Sequence, residues 1–218
     1  MTGWRSPESV PTRLVLLRHG QTALSIERRF AGVGDVPLTE AGELQADAAG
    51  RRLAARGGID AIVSSPLRRC VRTAEAAAGP LGLPVETLDD LKETDFGAWE
   101  GLSFAEVRRG WPDEMKAWLA DPAVPPPGGE SFDEVAVRVT RAREALLERH
   151  PRRTVLVVSH VTPIKLLLRE ALQAPPSALY RMHLDTACLC EIDWYADGPA
   201  VVRSLNDTAH LTEAGAGS

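Results

Sequence analysis

Leu14-Val15-Leu16-Leu17-Arg18-His19-Gly20-Gln21-Thr22 is the stretch from which the rest of this chain is read. Four apolar residues in a row, without alternation, predict a short strand buried on both faces. The run stops at a cation, an imidazole and a glycine. In open α/β sheets, ligands bind at the carboxyl ends of the strands. Arginine presents a planar fork of donors matched to phosphate oxygens. Neutral histidine presents a nucleophilic nitrogen, and Gly20 permits a close backbone approach or a positive φ. Together they predict phosphoryl chemistry on a histidine.

The same arrangement recurs further along. Strands are predicted over residues 14–17, 61–63, 154–159, 187–194 and 200–205, with helical patterns between most of them. Thr39 is placed to cap a helix with Ala41, Leu44 and Ala48 on one face. Ser65-Pro66 reads as N-cap and first helical position, followed by Leu67, Val71, Ala74 and Ala78 at helical spacing. Ser103 with Glu106, and Ser131 with Glu134, have the spacing of capping boxes. Thr162-Pro163 opens a helix carrying Ile164, Leu167, Leu168 and Ala171. Strands alternating with helices predict an α/β fold: a three-layer α/β/α sandwich around a mostly parallel sheet. The last two strands lack an intervening helix, so one edge pairing is expected to be antiparallel.

Parallel strands would bring three strand-to-helix junctions to one end of the sheet. The first carries Arg18 and His19, the second Ser65, Arg68 and Arg69, the third Ser159 and His160. Arg69 falls in the first turn of its helix, where free amides favour an anion. A single Arg or His in a loop is usually just solvated; three junctions in register argue for one phosphoryl site. A fourth element, Glu93-Thr94-Asp95-Phe96-Gly97-Ala98-Trp99-Glu100-Gly101, sets carboxylates among aromatic rings, where a carboxyl can keep a proton for a leaving group. The bland alternative is a turn with ordinary surface acids.

With 218 residues the chain fits one large domain. Its net charge of −5 argues against binding nucleic acid by bulk charge. No apolar run reaches membrane-spanning length, and residues 1–11 lack the apolar core of a signal peptide. Cys70, Cys188 and Cys190 are too few for a disulfide framework and suit a reducing, cytoplasmic setting. Cys188 and Cys190 share a strand face and are expected in the core. The domain is expected over residues 13–210, with flexible termini at 1–12 and 211–218. The proline-rich segment 121–130 is either a surface connection or a lid. His150 and His210 are expected at the surface.

These motifs resemble those of the phosphoglycerate-mutase-like histidine phosphatase superfamily. The resemblance rests on Arg18-His19-Gly20-Gln21-Thr22, on Pro37-Leu38-Thr39-Glu40-Ala41-Gly42, and on Ser65-Pro66-Leu67-Arg68-Arg69-Cys70-Val71-Arg72-Thr73-Ala74. It continues through Glu93 with Phe96-Gly97-Ala98-Trp99-Glu100-Gly101 and ends at Ser159-His160. It implies a phosphoglycerate-mutase-like fold and a phosphomonoesterase that needs neither metal nor cofactor. His19 would become phosphohistidine. Arg18, Arg69 and His160 would bind the phosphoryl oxygens, and Glu93 would serve as acid and then base. Ser25 stands where many relatives carry asparagine, and Val161 follows the late histidine where relatives often carry glycine. Gln21, Ser25, Arg28 and the Val161 amide complete the implied substrate contacts, and Cys70 takes the place of a common alanine, as packing.

Thr94-Asp95-Phe96 after Glu93 departs from the Arg-His-Tyr run of the mutases, which points to a phosphatase acting on a small phosphorylated metabolite. The stretch from Gln21 to Phe30 resembles actinobacterial acid phosphatase and α-ribazole phosphatase members. Two other readings stay open: a cofactor-dependent phosphoglycerate mutase, and a non-catalytic phosphate-binding module. Arg28 and Arg29 either reach the rest of the substrate or form a solvated face. Arg68 is expected in solvent. His183 and Asp185 either line the cavity or make a structural hydrogen bond. The chain is expected to work as a monomer or a homodimer, with no nucleic-acid or membrane partner.

Overall fold

The computed structural model describes residues 8–213. Along the chain run β1 (Thr12–Arg18), α1 (Ala23–Ile26), α2 (Glu40–Arg56), β2 (Ala61–Ser64), α3 (Arg68–Leu81), β3 (Val85–Thr87) and α4 (Phe104–Gly110). They are followed by α5 (Pro112–Ala120), α6 (Phe132–Arg149), β4 (Thr154–Ser159), α7 (Val161–Ala171), β5 (Leu189–Trp194), β6 (Val201–Asp207) and α8 (Ala209–Glu213). The six strands among the described residues form one sheet in the order β3-β2-β4-β1-β5-β6.

The apolar run of β1 lies at the centre of this sheet, and Leu14 to Leu17 are wholly buried. Strand parity divides them between two cores. Leu14 and Leu16 pack with Val139 and Leu146 of α6 and Ile164 and Leu168 of α7. Val15 and Leu17 pack on the other face with Ala49 and Leu53 of α2 and Ala74 and Ala77 of α3. Helices therefore cover both faces, giving the three layers expected. Each such leucine contributes up to about 1.5–3 kcal/mol by leaving water. Cys188 and Cys190 are buried with the α6–α7 core, so they share a face as their spacing predicts.

β1 runs parallel to β4 with Arg18 opposite Ser159, and β4 runs parallel to β2 with Val158 opposite Ser64. The three junctions accordingly meet at one end of the sheet. Two pairings are antiparallel rather than the one expected: β5 with β1, and β6 with β5. The chain after α7 returns to the carboxyl end of β1 before β5 begins, where the Ala187 amide donates to His19 O (3.1 Å) and the Arg18 amide to Cys188 O (3.1 Å). A strand entering from that end has to run against β1. The short strand β3 escapes the sequence pattern because Glu86 and Thr87 are exposed on the sheet edge and only Val85 is partly covered.

Most caps form as spaced. The Thr39 hydroxyl accepts from the Gly42 amide, and Ser103/Glu106 and Ser131/Glu134 make reciprocal capping boxes. The Ser65-Pro66 start is corrected: α3 begins at Arg68, with Leu67 at its cap and no side-chain cap bond. Ser65 is drawn elsewhere, its hydroxyl 2.8 Å from His160 Nε2 while accepting from the Leu67 amide at 3.3 Å. α7 starts one residue early, at Val161.

The termini also differ from expectation. Thr12 is a buried residue of β1, and the amides of Glu8 and Ser9 donate to Asp197 Oδ2 at 2.9 and 3.0 Å. Leu211 is buried in α8. What remains of the expected flexible ends, residues 1–7 and 214–218, lies outside the described residues. His210 is not at the surface: it is buried, with Nε2 3.0 Å from Ala187 O. His150 is half-buried at the end of α6, where its carbonyl accepts from the Thr12 hydroxyl at 3.2 Å.

Gly20 serves a close approach rather than a positive φ. A Cβ on Gly20 would stand 2.3 Å from Gly42 O, and one on Gly42 would stand 2.1 Å from Gln21 O. The start of α2 thus lies directly against the backbone that follows His19, and position 42 has no room for a side chain.

Candidate active site

β1 ends by delivering Arg18 and His19 to a cavity of about 170 Å³, lined by these two with Thr22, Ser25, Arg29, Phe30, Ala31, Glu93, Phe96, Val161 and Thr162. His19 is 4 % exposed, and its Nδ1 lies 2.8 Å from Gly20 O. A carbonyl only accepts, so Nδ1 carries the proton and Nε2 keeps its lone pair. Burial, and then the positive fields of Arg18 and Arg69, hold the His19 pKa well below its ordinary value. The imidazole is therefore neutral, the form a nucleophile needs.

Glu93 faces this cavity and is 5 % exposed. Its Oε1 accepts from the Thr94 amide at 2.8 Å, and the Thr162 amide lies 3.3 Å from both carboxylate oxygens. That amide is one of the unpaired donors in the first turn of α7. Phe96 supplies the apolar wall the sequence suggested. Arg138 of α6 grips the backbone behind the carboxylate, donating to the carbonyls of Asp90 (2.9 Å), Lys92 (2.6 Å) and Glu93 (2.9 Å) and to both oxygens of Glu130.

Arg69 and His160 come to the same place but do not line the cavity. Arg69 is wholly buried, and its fork donates to Gly34 O (2.8 Å) and Gly32 O (2.6 Å). The His160 ring centroid lies 5.2 Å from that of His19. Burial, with Arg69 and His19 as further causes, holds the His160 pKa well below its ordinary value too. Nε of both Arg18 and Arg69 is buried without a partner among the described residues. Buried donors in native proteins are normally paired, so two orphans on adjacent guanidiniums are what a nearby anion would satisfy. The loop gripped by Arg69 is held from its other side by Glu100, which accepts from the Gly32 amide at 2.9 Å. Burial raises the Glu100 pKa.

Two neutral, buried histidines have a consequence for stability. Below about pH 6.5 an unfolded histidine takes up a proton, while these two stay neutral in the folded chain. Stability is therefore expected to fall as the pH drops below that value, by up to about 2.7 kcal/mol per pH unit for the pair. Urea unfolding in phosphate-free buffer at pH 7 and pH 5 checks this; equal midpoints would mean the folded chain protonates them.

The remaining predicted residues divide. Ser25 lines the cavity from α1, though its hydroxyl donates to Thr22 O (2.8 Å) and accepts from the Thr22 amide (2.9 Å). Val161 lines it as well. Gln21 and Arg28 lie outside it, on an adjoining wider cavity of about 620 Å³ shared by Arg18, Ser25, Arg29, His183 and Asp185. Arg29 touches both cavities but is structural, donating to Gly101 O (2.9 Å) and Glu106 (2.8 Å). His183 both lines the wider cavity and makes a hydrogen bond to Asp185 (2.9 Å). Arg68 is exposed, as expected. Cys70 packs with its sulfur 3.3 Å from His160 Nε2, and burial pushes its thiol pKa up, so it is no nucleophile.

The proline-rich segment is no lid over His19. It is fixed behind the Glu93 turn, with Ala98 N–H donating to Pro127 O (2.9 Å) and Glu130 N–H to Asp95 O (2.8 Å). Sequence reasoning missed Thr22, Arg138 and the Thr162 amide, and took Ser65 for a cap. Only Thr162 had a signal: the second amide of a helix that begins at a site histidine. Among the described residues no cluster of His, Cys, Asp and Glu has the makings of a metal site, and no helix is long and apolar enough to cross a membrane.

A mostly parallel sheet with histidine and arginine at the ends of its inner strands, facing a carboxylate, defines a class of phosphoryl-handling α/β proteins. Residues 14–208 match the histidine phosphatase superfamily (branch 1), and the chain belongs to that family. A bifunctional protein of Mycobacterium tuberculosis is 54 % identical over 209 residues, which are 96 % of this chain and 57 % of that protein. The chain thus spans little more than half the length of that relative. Phosphoserine phosphatase 1 of Hydrogenobacter thermophilus is 33 % identical over 92 % of this chain and 95 % of its own length. Among solved structures, a mycobacterial glucosyl-3-phosphoglycerate phosphatase superposes with a TM-score of 0.80 at 31 % identity, covering 89 % of this chain and 98 % of the other. Relatives named "Probable phosphoglycerate mutase" also match.

Proposed function

We propose that the domain, residues 13–210, hydrolyses phosphomonoesters of small metabolites in the cytoplasm through a phosphohistidine, without a metal or cofactor. The observation that carries this reading is His19 Nε2: neutral, free of any partner among the described residues, and in one small cavity with Arg18 and Glu93. Nε2 attacks phosphorus and forms the P–N bond while the P–O ester bond breaks. The departing oxygen takes a proton from Glu93. Glu93 then removes a proton from water, whose oxygen attacks phosphorus as the P–N bond breaks, and inorganic phosphate and neutral His19 are released. Arg18 in the cavity wall, with Arg69 and His160 behind it, stabilises the charge on the equatorial oxygens, and the Val161 amide and Ser25, once its hydroxyl turns from the Thr22 carbonyl, hold the phosphoryl group. Gln21 and Arg28 meet the remainder of the substrate.

The cations supply the charge a metal would otherwise bring, so p-nitrophenyl phosphate is expected to be hydrolysed in excess EDTA, and vanadate is expected to inhibit. No hydrolysis would leave a phosphate-binding module as the reading. The named mutase relatives favour a second reading, in which turnover needs a bisphosphate primer and interconverts phosphoglycerates. Primer-independent release of phosphate excludes it.

A further inference from the structure

We infer that the wider cavity selects phosphomonoesters whose alcohol portion carries a second anion, and that Arg28 is the residue that reads it. This rests on the phosphatase-site reading for where the phosphoryl group lies. The wider cavity continues outward from the inner one, since Arg18, Ser25 and Arg29 line both. At about 620 Å³ it holds far more than a phosphoryl group. Its charges are mostly committed. Arg29 is bound to Glu27, Glu106 and Gly101 O. His183 and Asp185 are bound to each other, and Asp185 also accepts from Asn206 Nδ2 at 2.8 Å. Arg28 alone among the cations lining this cavity has a guanidinium with no hydrogen bond or ion pair to any described residue.

An exposed, unpartnered arginine is ordinary on a surface; Arg28 is also one of five non-glycine residues with a positive φ among the described residues, and of those five it alone lines this cavity. Its φ is +53°, in the left-handed region that side chains other than glycine and asparagine avoid. The turn is imposed by its neighbours: α1 ends at Ile26, and Arg29, three residues later, is pinned in a bridge to Ser103. Glycine or asparagine would make this turn with less strain. Strain kept at a cavity lip by a long cationic side chain points to work done by that side chain. Its fork suits a carboxylate or a second phosphate, and the exposed Ile26 offers apolar surface to the carbon skeleton between the two anions.

Binding tests this independently of turnover. Calorimetry on the His19→Ala chain, in about 0.1 M salt so that distant charges are screened, compares glycerol 3-phosphate with 3-phosphoglycerate and with propane-1,3-diol bisphosphate. At least one dianionic-plus-anionic ligand is expected to bind about tenfold or more tightly than glycerol 3-phosphate, and which one does so distinguishes a carboxylate from a phosphate reader. Adding Arg28→Asn is expected to bring the ratio close to one while raising the melting temperature; Arg28→Lys is expected to retain most of the preference. Equal affinities in the parent chain, or a preference that survives Arg28→Asn, would overturn the inference. Absence of hydrolysis by the unmutated chain would instead overturn the phosphatase reading and leave this binding result standing.

Discussion

His19→Ala is expected to lower kcat/KM for p-nitrophenyl phosphate by about ten-thousand-fold or more. Loss of a covalent nucleophile removes the whole two-step route, and other members of such a set do not compensate. The neighbours of His19 offer no substitute. His160 Nε2 is 2.8 Å from the Ser65 hydroxyl, and the Cys70 thiol is buried and held protonated. The variant should fold, because His19 is a neutral ring whose side-chain hydrogen bond among the described residues is to the adjacent Gly20 carbonyl. Rapid acid-free quenching with labelled substrate should trap an acid-labile phosphoprotein in the parent chain and none in the variant. Activity within tenfold of the parent would refute a nucleophilic His19.

Glu93→Gln is expected to cost about a hundred- to ten-thousand-fold with alkyl phosphates and much less with p-nitrophenyl phosphate. An alkoxide leaves poorly unless protonated as its bond breaks, whereas nitrophenolate leaves without help. The amide keeps the shape of the side chain and can still accept from the amides of Thr94 and Thr162. Steady-state rates across a series of leaving groups give the test. A loss of equal size for every leaving group would mean that proton transfer to the ester oxygen is not the task of Glu93.

The route to the fold was legible because its signals are local. The apolar run before Arg18 and the serine-to-glutamate capping boxes act over a few residues, and each formed where its spacing put it. The exceptions have physical causes. Ser65 does not cap α3 because the helix begins three residues later, at Arg68, and the Ser65 hydroxyl stands 2.8 Å from His160 Nε2. β3 left no pattern because an exposed edge strand needs no apolar face. The second antiparallel pairing depended on the end from which the chain re-enters the sheet.

The sequence by itself determined that a histidine and an arginine would stand at the end of a buried strand, since a hydrophobic run followed at once by polar residues can place them nowhere else. Tertiary structure alone decided how the site is held. Arg69 spends its fork on Gly32 and Gly34, Glu93 meets the Thr162 amide across 69 residues, and Arg138 grips the Glu93 carbonyl across 45. Such contacts follow from how helices α3, α6 and α7 seat on the sheet. A carbonyl or an amide carries no mark in the sequence of the partner that packing will bring to it.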